Sequence, residues 1–206
     1  MPLLIYQNNQ SNSGRLLVWK VTESLSELEG RFSFSPEQRL VYDAIVLEKR
    51  KQEWLMNRIL LQIAVGNVAL KARSNGKPYI EGPVHVSFSH SGALAGLYVC
   101  DHECGLDIQG VDEKLERIKK KFCHPDELMR AGWSSDELAY LTMIWSAKEA
   151  VFKYYGEEVI FAEDMVTRPF AIDQSLLQLD YQGRHGAQRF ELEHIYLHGY
   201  HLIYTL

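Results

Sequence analysis

An α+β fold is predicted for this chain of 206 residues, on three observations. Apolar residues recur at spacings of three and four from about residue 36 to 70, alternate around a turn from 84 to 100, and alternate again from about 170 to the end. A second long helical pattern, SSDELAYLTMIWSAKEAVFKYYG, precedes that last stretch. Helix, hairpin, helix and sheet in this order are most simply arranged as two α+β halves, 1–101 and 102–206.

The elements follow in turn. SNSGRLLVWKVTES opens with turn formers and then alternates, predicting a strand with Leu17 and Trp19 on one face. Ser35, Pro36 and Glu37 supply a capping hydroxyl, a proline at the first helical position and an acid in the first turn of one or two helices. SNGKPYI reads as a turn, and VHVSFSHSGALAGLYVC as a hairpin turning at SHSG, with Ser89 and His90 at the turn. DHEC leads into GLDIQG, a strand. Ser134 or Ser135 is the expected cap of the long helix, which ends at Gly156. Gly183, Gly186 and Gly199 break the final alternation into a terminal antiparallel sheet.

Composition excludes several classes. With 46% hydrophobic and 24% charged residues the chain is an ordinary globular one, and its net charge of −5 argues against general nucleic-acid binding. No apolar run approaches the ~20 residues that cross a bilayer, and MPLLIYQNNQ lacks the basic start and long apolar core of a signal peptide. A cytoplasmic protein is expected. Three cysteines, Cys100, Cys104 and Cys123, fit reduced thiols better than a disulfide framework. CDHEC lacks the second cysteine pair of a structural zinc site, and His194, His198 and His201 read as hairpin surface residues rather than ligands.

The chemistry concentrates in two motifs. In GLDIQG, strand alternation puts Leu106 and Ile108 on one face and Asp107 and Gln109 on the other; the competing reading is an edge strand with a solvated polar face. In WSAKEAVFK, 100° per residue brings Trp145, Glu149 and Phe152 into one narrow arc, flanked by Lys148 and Lys153. A carboxylate on an aromatic face needs a cation, unless Glu149 and Lys153 merely form an i,i+4 surface pair. Asp107, Gln109 and Glu149 form an all-oxygen set suited to Mg²⁺, which keeps several waters and takes further ligands from substrate phosphates. Arg50 and Arg58, eight apart on a basic helix, Lys77 on the NGKP turn, and Ser89 and His90 are candidates to meet those phosphates.

In order and spacing, GKP (76–78), SFSHSG (87–92), GLDIQ (105–109) and WSAKEAVFK (145–153) resemble the motifs of the 4′-phosphopantetheinyl transferases. KRKQEWLMNR resembles the basic helix of the siderophore-synthetase activators, so the likeness is to the larger, two-halved type. The resemblance implies a pseudo-dimeric α+β fold with coenzyme A bound at the seam between halves. Asp107 and Glu149, with Gln109 between them, would hold Mg²⁺ on the pyrophosphate. Arg50, Arg58, Lys77, Ser89 and His90 would receive its phosphates and adenosine end, and Lys153 would assist departure of adenosine 3′,5′-bisphosphate. The attacking serine of an apo acyl or peptidyl carrier protein would lose its proton to Glu149 or to a metal-bound water. Fatty-acid and nonribosomal peptide pathways both fit, and the two-halved type implies a monomer.

Gln109 stands where many relatives carry a second acid, which should weaken Mg²⁺ binding while easing approach of the pyrophosphate. RIKKKF, with Lys119, Lys120, Lys121 and Phe122, is the candidate surface for an acidic carrier protein. Two other classes compete: a catalytically weak module that binds coenzyme A or a carrier protein, and a Mg²⁺-dependent phosphoester hydrolase. The intact Glu149 and Lys153 argue against the first; the lack of a further acid cluster argues against a two-metal version of the second.

Overall fold

The computed structural model describes residues 3–9, 14–156 and 159–206; the turn formers at 11–13 lie outside them. The N-terminal part runs β1 (Leu3–Asn9), β2 (Gly14–Lys20), α1 (Leu25–Arg31), α2 (Pro36–Asp43), α3 (Glu48–Val65), β3 (Lys71–Ala72), β4 (Pro78–Tyr79), β5 (His85–Ser91) and β6 (Leu94–Cys100). The C-terminal part follows as β7 (Leu106–Gly110), α4 (Lys114–Phe122), α5 (Pro125–Trp133), α6 (Glu137–Tyr155), α7 (Phe161–Asp164), β8 (Met165–Thr167), β9 (Leu176–Gly183), β10 (Gly186–Leu197) and β11 (Tyr200–Thr205). This mixture of helices and antiparallel sheets is the α+β architecture expected.

One sheet has the order β1-β2-β6-β5 and the other β7-β11-β10-β9-β8, while β3 and β4 form a short ribbon around the NGKP turn. Every strand of the first sheet precedes residue 101, and every strand of the second follows residue 105. Leu17 and Trp19 of β2 pack with Leu28, Tyr42 and Leu55 from α1–α3, as their shared face requires. Leu16 and Val18 point the other way and meet Leu106, Ile108, Leu202 and Tyr204 of the second sheet. Beyond that sheet, Met143, Ala147, Ala150 and Val151 of α6 cover Leu179, Leu192 and Ile203.

This layering settles how β7 faces. Leu106 and Ile108 are 0% and 1% exposed, and burying each such side chain stabilises the fold by about 1.5–3 kcal/mol. Slipping β7 by one residue would drive Asp107 into the intersheet core, so the register is strongly held. Asp107 and Gln109 therefore turn toward α6, which contacts β7 along its length. Gly105 permits that approach, because a Cβ there would lie 1.7 Å from the Ala150 carbonyl oxygen of α6.

Several local details depart from the sequence reading. Ser35 caps α2 as expected, in a box with Gln38, but α6 is capped by Asp136, whose side chain accepts from the Ala139 N–H, rather than by Ser134 or Ser135. The hairpin turns at Gly92–Ala93, so Ser89 and His90 lie within β5 instead of at a turn. The charged stretch after β7 folds into α4 and α5; α4 is amphipathic, with Leu115 and Phe122 buried under its basic face. His194 and His201 are 6% and 2% exposed and stack on each other, so they are core residues and not hairpin surface ones.

Candidate functional site

Where β5 ends the first sheet and β7 ends the second, the two edges are joined by side chains instead of a backbone ladder. Ser87, Ser89 and Ser91 of β5 present their hydroxyls at period two. Each Oγ accepts one β7 N–H: Leu106 at 2.9 Å, Ile108 at 2.9 Å and Gly110 at 3.2 Å. Edge donors that would otherwise stay unpaired are thereby satisfied.

Asp107 sits beside this row, 6% exposed, and is held at both oxygens. Its Oδ1 accepts from Lys153 Nζ at 2.8 Å and from Ser89 Oγ at 3.1 Å, and its Oδ2 accepts from Ser146 Oγ at 2.8 Å. Lys153 also donates to Ser89 Oγ at 3.1 Å and to the Leu106 carbonyl at 2.9 Å. The buried carboxylate is thus paired with a cation and oriented by two hydroxyls, as desolvation demands. Glu149, one turn before Lys153 on α6, is half-buried. Burial, reinforced by the charge of Asp107 and opposed by Lys153, pushes its carboxyl up to about 7. Gln109 is half-buried on the same side of β7 as Asp107, and its Nε2 donates to the Gly110 carbonyl at 2.9 Å.

The residues expected to meet phosphates divide into two groups. Arg50 and His90 converge on Glu53, which accepts from Arg50 Nη1 at 2.7 Å and faces His90 Nε2 at 3.5 Å. Both keep accessible side chains, 68% and 38% exposed, and burial pushes His90 below its ordinary value while Glu53 opposes and Lys153 adds to the effect. Arg58 lies flat over the Trp54 ring at 3.5 Å, and burial pushes it down to about 10.

Lys77 and Ser89 are differently engaged. The Lys77 ammonium donates to Glu103 and to the Tyr154 carbonyl at the last turn of α6. There it complements the negative helix end. The Ser89 hydroxyl accepts from Ile108 and Lys153 and gives its one proton to Asp107, so in this arrangement it retains none for a phosphate. A cleft of about 250 Å³ runs between the NGKP turn, β5 and α6, with Lys77, Ser87, Phe152 and Lys153 on its walls.

Lys148 does not flank the site. It is fully buried, donating to Glu127 at 2.6 Å and to the carbonyls of Phe122 and Phe161. Glu127 in turn accepts from Thr167 and from the His124 N–H, so this ion pair fastens α5, α6 and β8 together. In RIKKKF, Lys120 and Lys121 are exposed, Lys119 pairs with Glu137 at 2.6 Å, and Phe122 is a 1%-exposed core residue that leaves no apolar contact for a partner.

Sequence reasoning passed over Ser146, Glu53, Glu103 and the Ser87 and Ser91 hydroxyls. Ser146 was findable, three residues before Glu149 and so on an adjoining arc of the helix. The alternation of serines at 87, 89 and 91 was equally visible as one polar strand face.

Two carboxylates on one side, each carboxylate oxygen with two lone pairs, leave acceptor capacity for a hard cation beyond the bonds already made. The elevation of Glu149 by Asp107 is the repulsion such a cation would relieve. Among the described residues no group of three or more His, Cys, Asp or Glu side chains gathers in metal-binding geometry, so a cation here would rely on two acids, the Gln109 amide and ligands from elsewhere. No helix among the described residues is long and apolar enough to cross a membrane.

Comparison with known proteins bears on the same residues. The chain is similar to the 4′-phosphopantetheinyl transferase gsp of Aneurinibacillus migulanus, 24% identical over 110 residues. That match covers 51% of this chain and 46% of the relative, so it spans about half of either protein. A family model described as the 4′-phosphopantetheinyl transferase superfamily matches residues 103–204, from the start of β7 through α6 to the last strand. Asp107, Gln109, Glu149 and Lys153 all fall within that span of just under half the chain, so the similarity to the 4′-phosphopantetheinyl transferase superfamily covers the part that carries the candidate site.

Proposed function

We propose that this chain transfers the 4′-phosphopantetheine arm of coenzyme A to a serine of an apo acyl or peptidyl carrier protein, releasing adenosine 3′,5′-bisphosphate. The observation that carries the reading is the meeting of Asp107, Glu149 and Lys153 at the seam: a fixed acid, an acid raised to about 7 and a cation within 2.8 Å of the first. Phosphoryl-type transfer asks a protein mainly for positioning and charge neutralisation, and this set supplies both.

In the proposed site Asp107 and Glu149, with the Gln109 amide oxygen, hold Mg²⁺, which when bound neutralises pyrophosphate charge. Arg50 and His90 face the phosphate and adenosine end, with Arg58 set further back against Trp54. Ser89 and Lys77 act behind the site, Ser89 orienting Asp107 and Lys153, and Lys77 anchoring the end of α6 beside the cleft. The serine hydroxyl of the carrier forms a bond to the β-phosphorus as the bond from that phosphorus to the bridging oxygen breaks. Its proton passes to Glu149, the carboxylate on α6 beside Asp107 and Lys153. Lys153 stabilises the charge that grows on the departing bisphosphate. Exposed Lys120 and Lys121 offer an acidic carrier protein an electrostatic approach.

The test is to mix the protein with an apo carrier protein, coenzyme A and Mg²⁺ and to weigh the carrier by mass spectrometry. A gain of one phosphopantetheine arm is expected; no gain with any of several fatty-acid, polyketide and peptide carriers would sink the reading. Asp107→Ala and Glu149→Gln are expected to lower the transfer rate by roughly 10²–10⁴-fold with the fold retained. Near-normal rates in either variant would remove that residue from the site.

A further inference from the structure

The last torsion of an aspartate side chain is broad, so a place on β7 fixes the Asp107 Cβ and leaves the direction of its two oxygens open. Hydrogen bonds must close that freedom. Oδ1 has two partners, Lys153 Nζ at 2.8 Å and Ser89 Oγ at 3.1 Å. Among the described residues Oδ2 has one, Ser146 Oγ at 2.8 Å.

Ser146 is 0% exposed and lies inside α6, where a hydroxyl can readily donate to the carbonyl four residues back. Thr142, one turn earlier and just as buried, does so, with Oγ1 on the Leu138 carbonyl at 2.7 Å. Ser146 forgoes that local bond. Its hydroxyl has a single proton to give, and the one side-chain hydrogen bond it makes among the described residues crosses to Asp107.

At 100° per residue, Ser146, Glu149 and Lys153 fall within an arc of about 60° on α6. One stripe of the helix therefore carries the second acid, the cation and the hydroxyl, and Asp107 is bonded to that stripe through both of its oxygens. Lys153 cannot hold the carboxylate plane alone, because it reaches only Oδ1 and is shared with Ser89 and the Leu106 carbonyl.

We propose that Ser146 is a positioning residue: through Oδ2 it fixes the plane of Asp107 relative to Glu149, and so sets the two acids to receive a divalent cation. This role rests on the reading of Asp107 and Glu149 as ligands to Mg²⁺ in the proposed transfer. Loss of a hydrogen bond that orients a ligating carboxylate commonly costs roughly 10–100-fold in metal affinity.

Mn²⁺ titrated into the full chain with equimolar coenzyme A, the free ion being read by electron paramagnetic resonance, tests this. Asp107→Asn supplies the background and should abolish binding at the site. Ser146→Ala should weaken Mn²⁺ binding by about 10-fold or more, and should raise the Mg²⁺ needed for half-maximal transfer in step while the KM for coenzyme A at saturating Mg²⁺ stays unchanged. The fold should be retained, since alanine is the better helix former. Thr142→Ala is the control: it removes a buried hydroxyl from the same helix that bonds its own backbone, so it should leave Mn²⁺ affinity as it was. Unchanged affinity in Ser146→Ala would overturn the proposal, and so would an equal loss in Thr142→Ala, which would trace the effect to a loosened α6. Transfer without any Mn²⁺ binding that depends on Asp107 would overturn the role of Ser146 alone, whereas such binding with no transfer to any carrier would overturn the transferase reading alone.

Discussion

Glu149 holds its proton far above the ordinary 4.5 because it is buried and because Asp107 is charged beside it. The folded protein therefore keeps a proton that the unfolded chain releases, and stability falls as pH rises from about 4.5 to about 7, then levels. The full effect is roughly 3 kcal/mol for a shift of this size. In chelator, the melting temperature should decline over that window, and Glu149→Gln should flatten the decline. Mg²⁺ should raise the melting temperature more at pH 8 than at pH 5, since a bound cation favours the ionised pair. A pH-independent response to Mg²⁺ would place the ion elsewhere. Gln109 adds a second measurement at this scale: Gln109→Glu should lower the Mg²⁺ concentration that gives half-maximal transfer, and an unchanged or raised requirement would show that the amide is not near the metal.

At the scale of elements, the site depends on how closely β7 approaches α6. Gly105→Ala would set a methyl 1.7 Å from the Ala150 carbonyl, so strand and helix must separate and Asp107 must shift relative to Glu149 and Lys153. Transfer should fall about 10²-fold, as misplacement of reacting groups by an ångström commonly causes, with a lower melting temperature. Gly132 in α5 is the control, because a Cβ there meets nothing within 4 Å and Gly132→Ala should be neutral or stabilising by up to ~1 kcal/mol. Equal losses in both variants would point to general destabilisation.

The elements also explain what could be read in advance. Period two in GLDIQG and the helical arc of WSAKEAVFK were local facts, so Asp107, Gln109, Glu149 and Lys153 were legible before any coordinates. The positions of Ser89 and Lys77 were not: each carries a polar group whose partner lies on another element, at Asp107 and at Tyr154. Period alone cannot say whether a hydroxyl meets a ligand or a neighbouring strand. His194 and His201 were misread for the same reason, since the groups that hold them, the Gln174 carbonyl and each other's ring across β10 and β11, are not neighbours in sequence. Nor could period show that Lys148 and Phe122 point inward, because α4 and α5 fold over the flank of α6 that would otherwise be solvated.

For the whole molecule the question is what keeps the two sheets in one cooperative unit. Between their faces lies the core of Leu16, Val18, Tyr98, Leu106 and Ile108, and at their edges lies the serine row of β5. Apolar burial is insensitive to small sliding, whereas each hydroxyl accepts from one particular N–H, so the row fixes the register of one half against the other. Ser87 tests this without touching Asp107 or Lys153, since its hydroxyl accepts only from the Leu106 N–H among the side-chain bonds described. Ser87→Ala leaves that buried donor unmatched, at a cost of about 1–3 kcal/mol. If the row couples the halves, the urea transition should shift to lower concentration and also broaden as the first sheet loosens ahead of the second, with transfer falling through misalignment across the seam. A shift with unchanged slope and normal transfer would mean that the apolar face alone holds the halves in register, and that the hydroxyls only satisfy an edge.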